Sequence, residues 1–345
     1  MKTSQAKFSC KPPGDAQPID AAFAASILPR REHGTHKWRV GGLIIVAGAP
    51  SYVGAAALCA SAAGRAGAGL VHLAIPRGLV GAIAAFVPET AYILLPDSDG
   101  PSGGWRAATL IGEKLEKSNA VVIGPGLGDD DATHGLLRAL FDNEAHSRQL
   151  DNRIGFENAR QSASPIHDDL RQVVGQSGKP LVIDADALNW LSKQENWWEL
   201  LLPGTAVLTP HLGEMARLLA IDPEEVSARP MELAIESARK WRQTVLLKFE
   251  YSIATDGERT FMAVDAPTSL ASAGTGDVLA GTVGAFLAQG LEPLEAAALA
   301  MYVGCAAARR VEIQTGSLGL IASDLPPAIA AELGVLEREY GSNGS

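Results

Sequence analysis

The stretch Ser272, Ala273, Gly274, Thr275, Gly276, Asp277 carries the most explicit chemistry in the chain. Gly274 and Gly276 have no side chain, so the backbone there can turn sharply and come close to a ligand. The residues that follow, 278–289 (VLAGTVGAFLAQ), hold no charge and predict a helix that is buried all round. Gly290 and Pro293 supply its stop. The loop then sits at a helix N-terminus, where unpaired N–H groups and the positive end of the helix dipole attract an anion. Asp277 would be a first-turn acceptor beside bound phosphate. A carboxylate next to an anion cradle suits phosphoryl transfer: it takes the proton of a hydroxyl while backbone dipoles hold the developing charge. An isolated loop of this kind is more often a turn in which the aspartate only caps the helix. Its surroundings have to decide.

Further candidates lie elsewhere. Residues 48–54 (GAPSYVG) lack the lysine and hydroxyl pair of a Walker loop and miss GxGxxG spacing, so a phosphate loop and a tight turn weigh equally. Residues 124–128 (GPGLG) allow close backbone approach but bring no reactive side chain, which fits a substrate-contacting loop at most. Asp184 and Asp186 would share one side of an extended strand; they could hold magnesium or water, or Asp186 could cap the next helix, the structural role standing slightly ahead. His211, after Pro210 and before Gly213 and Glu214, is balanced between substrate binding and structure. Lys248 closes an apolar strand, so it either snorkels outward or meets an anion, for which phosphate is the natural partner. The remaining histidines show no ligand spacing, and no metal-ligating set is expected.

These residues need a scaffold. Apolar runs at 43–47, 70–75, 120–128 (running into a glycine turn), 181–189 (ending in paired aspartates), 206–214 and 244–248 read as strands of a largely parallel sheet. Residues 251–255 and 259–264 flank Asp256 and Gly257 and read as a hairpin. Helical patterns fall between the strands, at 19–28, up to about Arg65, and at 215–220. Alternating strands and helices predict an α/β fold, a largely parallel central sheet with helices on both faces and an antiparallel edge. Such sheets bind ligands beyond the carboxyl ends of their strands, where every motif above falls. The loops at 48–54, 124–128, 209–214 and 272–277 are therefore expected to line one cleft.

The chain has 345 residues, 47% hydrophobic and 20% charged, enough for one large core or two smaller ones. A net charge of −10 without a basic cluster argues against a nucleic-acid partner. Three distant cysteines without CxxC spacing argue against a disulfide framework or zinc site and fit a reducing compartment. The N-terminus has no apolar segment of signal type and no run approaches a membrane span, so a soluble cytoplasmic protein without membrane contact is expected. The expected organisation is a flexible arm at 1–18, a single catalytic domain at 19–335 with a polar insertion at about 143–165, and a tail at 336–345.

Together, the motifs 46–55 (VAGAPSYVGA), 65–69 (RAGAG), 122–128 (VIGPGLG), 183–189 (IDADALN), 208–214 (LTPHLGE), 273–281 (AGTGDVLAG) and 319–324 (GLIASD) resemble the ADP/ATP-dependent NAD(P)H-hydrate dehydratase family. That family has the ribokinase-like fold, and the resemblance runs from about His36 to Leu325. It implies repair of hydrated NADH or NADPH: a nucleotide phosphorylates the ring hydroxyl and phosphate is then eliminated. Position by position it implies Asp277 as the base and Gly274, Thr275 and Gly276 as the anion hole. It implies Ala55, Gly126, His211 and Asp277 at the hydrated dinucleotide, and Lys248, Phe249, Glu250, Tyr251, Ser252 and Gly276 at the ADP or ATP donor. Magnesium is implied with the phosphates, and a homo-oligomer is expected. The chain departs from the family pattern at Phe249, where glycine is usual, and at Pro267, Thr268 and Ser269, where Gly-Asn-Pro is usual. The family's epimerase half has no counterpart among these residues. Two alternatives stand beside this reading: a kinase of a small hydroxymethyl compound on the same fold, and a nucleotide sensor without catalysis.

Overall fold

The computed structural model describes residues 16–31, 40–97, 101–141, 174–263 and 266–340. Its backbone is one ten-stranded sheet in the order β1-β10-β9-β8-β7-β6-β5-β2-β3-β4. The strands are β1 (Gln17–Pro18), β2 (Gly42–Val46), β3 (Leu70–Pro76), β4 (Ala91–Leu95), β5 (Ala120–Ile123), β6 (Leu181–Ile183), β7 (Ala206–Leu208), β8 (Thr244–Leu247), β9 (Ile253–Thr255) and β10 (Thr260–Met262). From β8 through β4 every pairing is parallel; β9 alone runs against its neighbours, with β10 and β1 beyond it resuming the common direction. This is the expected α/β architecture, with its antiparallel strand lying just inside the edge.

Strand alternation divides the core in two. Leu43 and Ile45 face a layer built from the helices Val53–Arg65, Thr275–Ala288, Pro293–Thr315 and Leu325–Tyr340. Ile44 and Val46 face the other layer, from Pro101–Leu115, Asp131–Phe141, Ala185–Leu191, Leu212–Leu219 and Pro230–Trp241. Both faces are covered, so strands β2, β5, β6, β7 and β8 are buried at every residue. Hence they read as unbroken apolar runs.

Several expected boundaries move. The helix after the glycine loop starts at Thr275, so Asp277 lies within its first turn. The helix expected from 215 starts at Leu212. Asp184 and Asp186 do not share an extended strand, because β6 ends at Ile183 and a helix begins at Ala185. Gln17–Pro18 pair with β10, so the end of the expected arm is a sheet strand. The helix Leu325–Tyr340 takes in residues 336–340 of the expected tail. The insertion expected at 143–165 lies outside the described residues.

The helix Thr275–Ala288 approaches its neighbours unusually closely. A methyl group at Gly281 would collide with the Cys59 carbonyl on the helix Val53–Arg65, and one at Gly284 with Val122 of β5. We expect Gly281→Ala to cost about 1–3 kcal/mol through overpacking, seen as a lower midpoint in thermal denaturation. Gly304→Ala, in a helix but with nothing near its new methyl, should leave the midpoint equal or higher. Equal midpoints for Gly281→Ala and the parent would refute the close-packing account.

Candidate functional site

Strands β2 and β5 are neighbours, yet the chain leaves them in opposite directions, to β3 on one side and β6 on the other. Loops that diverge in this way leave a crevice between them. Two of the expected loops meet there. Gly48 N donates to Pro125 O at 2.9 Å, which ties 48–54 to 124–128. Gly126 adopts φ +61, and a Cβ on it would lie 2.7 Å from Ala55 Cβ and 2.8 Å from Tyr52 Cβ. Only glycine satisfies both that backbone and that contact. Ala55 and Gly126 are therefore brought together. Asp186 joins them from the first turn of the helix Ala185–Leu191: its Oδ2 accepts from Gly128 N at 2.8 Å, so its work is to brace this loop.

The next strand ends carry a charged cluster. Asp184 is 1% exposed, and its Oδ1 accepts from Lys248 Nζ and from Thr209 Oγ1, each at 2.7 Å. Glu214 Oε2 stands 3.9 Å from the same ammonium. Burial works against a charged Lys248, but the Asp184 and Glu214 carboxylates outweigh it and hold the ammonium above the ordinary lysine range. The snorkelling alternative therefore fails: the lysine turns inward to a carboxylate. Its backbone is fixed as well, since Lys248 N donates to Pro210 O at 2.8 Å and pairs with His211 as an isolated bridge.

His211 is the N-cap of the helix Leu212–Leu219. Its Nδ1 accepts from Gly213 N and Glu214 N, while Glu214 Oε2 accepts from His211 N at 2.8 Å. An accepting Nδ1 leaves the proton on Nε2. Burial, then the charges of Lys248 and Arg217, lower its proton affinity and keep the ring neutral near pH 7. The imidazole is half-exposed, its Nε2 standing 3.5 Å from Glu214 Oε1, in the same row of loops as Lys248.

The glycine loop closes the group. Gly274, at φ +88, is the N-cap of the helix Thr275–Ala288, and Thr275 Oγ1 turns back to the carbonyls of Leu270 at 2.7 Å and Ser272 at 2.9 Å. The hydroxyl is thus spent on shaping the loop. A helix leaves its first-turn N–H groups, here including Gly276 and Asp277, without intrahelical partners. A Cβ on Gly276 would lie 3.4 Å from Lys248 Nζ, which places the ammonium against this N-terminus. Asp277 makes no capping bond, and its carboxylate accepts no hydrogen bond among the described residues. Burial foremost, then the charge of Asp184, push it up to about 7 against the pull of Lys248, with Asp186 adding to the rise. The bland role considered for Asp277, a helix cap, is not the one it plays.

The segment 248–252 turns between β8 and β9. Phe249 packs edge-to-face with Tyr251 at 6.1 Å, Ser252 Oγ donates to Phe249 O at 3.3 Å, and Glu250 is exposed. None of the five has positive φ, so Phe249 holds the turn without the freedom of a glycine. At the other departure, Thr268–Ala271 form a single 3-10 turn after Pro267. The sequence assigns no part to Thr209 or Glu214 and leaves Asp184 between holding magnesium or water and a structural role. The first two lay inside a recognised motif, but the pairing of Asp184 with a lysine 64 residues away leaves no local pattern. A separate cavity of about 520 Å³, lined by residues including Arg239, Arg242, Arg259 and Glu292, lies at the amino ends of β7 and β8 and contains none of these residues.

Asp277 binds its proton more tightly folded than unfolded, so its contribution to stability is favourable at low pH and is lost as pH rises through about 7. Asp277→Asn should therefore raise the thermal midpoint at pH 8, by about 2 °C, with the gain vanishing towards pH 4. A gain that is constant with pH would contradict the perturbed carboxylate.

Comparison with known proteins adds a second line. A family model described as NAD(P)H-hydrate dehydratase matches residues 43–147 and 160–330. The bifunctional NAD(P)H-hydrate repair enzyme of Moorella thermoacetica is 35% identical over 326 residues, 93% of this chain and 54% of that protein. The ADP-dependent (S)-NAD(P)H-hydrate dehydratase of Xanthomonas campestris is 29% identical over 320 residues, 92% of this chain and 95% of that one. The chain thus spans about half the length of its bifunctional relatives. Among solved structures, the ADP/ATP-dependent NAD(P)H-hydrate dehydratase from Bacillus subtilis, co-crystallised with ATP/Mg2+, superimposes with a TM-score of 0.72 at 22% identity, covering 94% of this chain and 99% of that one. At that identity the likeness is one of fold.

Proposed function

The chain belongs to the NAD(P)H-hydrate dehydratase family, and from that premise we propose that it returns hydrated NADH or NADPH to the reduced dinucleotide with ADP or ATP as phosphoryl donor. The fold is ribokinase-like, as the resemblance implied. The observation that carries the proposal is the uncapped, proton-avid Asp277 carboxylate at a helix N-terminus that also receives the Lys248 ammonium.

Each residue then has a task. Asp277 accepts the proton of the ring hydroxyl as that oxygen attacks the terminal phosphorus and the bridging P–O bond breaks, releasing AMP or ADP. The phosphate of the ester then leaves with the C–O electron pair, and loss of a proton from the adjacent ring carbon restores the double bond. An acceptor poised at about 7 suits proton transfer near neutral pH. The first-turn N–H groups at Gly276 and Asp277 and the Lys248 ammonium meet the phosphoryl oxygens, so charge is compensated by groups already in place. Ala55, Gly126 and His211 contact the dinucleotide: the first two offer a surface free of bulk, and His211 a neutral imidazole. The turn Lys248 to Ser252 holds the donor nucleotide. Magnesium, when bound, neutralises phosphate charge. In this reading the ion is carried by the phosphates and water. Among the described residues no helix is long and apolar enough to cross a membrane. A cytoplasmic homo-oligomer, without nucleic-acid or membrane partner, completes the proposal.

The test is incubation of the protein with hydrated NADH and ADP or ATP with magnesium, following the absorbance of the reduced ring. Recovery of NADH with release of free phosphate is expected, the rate rising with pH through about 7 as Asp277 deprotonates. A stable phosphorylated product would instead establish a kinase, and binding without turnover a sensor. Asp277→Asn should lose about 10²–10⁴ in turnover, because an amide cannot accept the proton. Turnover within about tenfold of the parent would remove Asp277 from the role of base.

A further inference from the structure

We propose that Asp184 is a positioning residue of this site: its buried carboxylate fixes the Lys248 ammonium against Gly276, so that an arriving phosphate meets a directed charge. The inference rests on the nucleotide-binding reading given above for Lys248.

Lysine has a long, flexible stem and loses much freedom when its tip is held still. Here the tip is held from outside its own strand. Asp184 Oδ1 takes a bond of 2.7 Å from Nζ, and the Thr209 hydroxyl, also at 2.7 Å, fixes that same oxygen from β7. The backbone carrying Asp184 is clamped in turn. Its N–H donates to Ile123 O at 3.1 Å, and its carbonyl passes so close to Gly124 that any side chain there would collide with it. The next residue, Ala185, is held at φ +47, a left-handed conformation uncommon for a residue with a side chain. Strand end, neighbouring loop and helix start together give this carboxylate one place to be. The lysine it holds retains 20% side-chain exposure, against 2% for Asp184 itself. The carboxylate is sealed while part of the lysine side chain still reaches the surface of the cleft, and its tip stands within contact distance of the position a Cβ on Gly276 would take.

The sign of one measurement separates positioning from mere proximity. Near a polyphosphate, removing a negative charge by itself tightens binding, because like-charge repulsion falls. Losing the anchor of the cation loosens it. Titration calorimetry of ADP with magnesium, on the full chain, should show Asp184→Asn binding about tenfold or more weakly, the scale of a hydrogen bond to a charged group. Affinity for adenosine, which brings no phosphate, should be unchanged. Equal or tighter ADP binding by Asp184→Asn overturns the inference, as does an equal loss for adenosine, which would mean general loosening of the cleft. Wild-type protein that binds neither ADP nor ATP overturns the nucleotide reading and this inference with it. Should Asp184→Asn fail to fold, Thr209→Val removes one hydroxyl from the same anchor. About threefold weaker ADP binding is then expected, and unchanged binding overturns the inference.

Discussion

A carboxylate taken out of water must find a cation or give up its charge, and in this protein that constraint falls on Asp184. Lys248 answers it from two strands away in the sheet. The remaining charges arrange themselves around the pair. Glu214 stands at its rim and is itself raised by burial, with Lys248 pulling the other way. Asp277 is pushed up to about 7 first by its own burial and then by the charge of Asp184, against the pull of Lys248. The influence extends into the core, where burial and then the charges of Asp277 and Asp184 keep the Cys59 thiol from ionising. The charges of this buried pair thus reach Glu214 and Asp277, and that of Asp184 reaches Cys59, on top of the burial of each.

Packing sets how close that cleft can be drawn. The helix that begins at Thr275 has small residues where it meets the helix Val53–Arg65 and strand β5, and bulk at those positions would lift it from the sheet. Its N-terminus would then leave Lys248, and Asp277 would gain water and lose its proton affinity. Here the core does not merely support the site. The interhelical distance is itself part of the chemistry.

Much of this was legible in the amino-acid order, for identifiable reasons. Parallel strands covered on both faces must be apolar throughout, so β2, β5, β6, β7 and β8 announce themselves. Glycines at strand ends marked the loops at 48–54 and 124–128, and the helix after 277 was evident from its lack of charge. What stayed hidden depended on tertiary partners. The two-residue β1 and the edge strand β4, only partly buried, carry weak local patterns. The helix starting at Ala185 follows a residue at positive φ that no propensity would suggest. The roles of Asp184 and Asp186 were open because a carboxylate next to a strand end looks the same whether it meets a metal, a lysine or a backbone amide.

The pairing of Gln17–Pro18 with Phe261 and Met262 looks minor beside the site, yet it finishes the sheet. Ile19 N donates to Met262 O at 3.2 Å, and Phe23 stacks on Phe261 at 4.6 Å, so a short segment lies flat along β10. Without it the outward N–H and C=O groups of β10 would form an open template for another chain. Pro18 lacks an N–H and cannot extend the ladder outward, which makes the segment a terminator as well as a cover. The segment from Gln17 to Phe23 therefore guards colloidal behaviour. A chain trimmed to begin at the first buried strand would keep every residue of the cleft and would gain a sticky margin, visible as concentration-dependent light scattering.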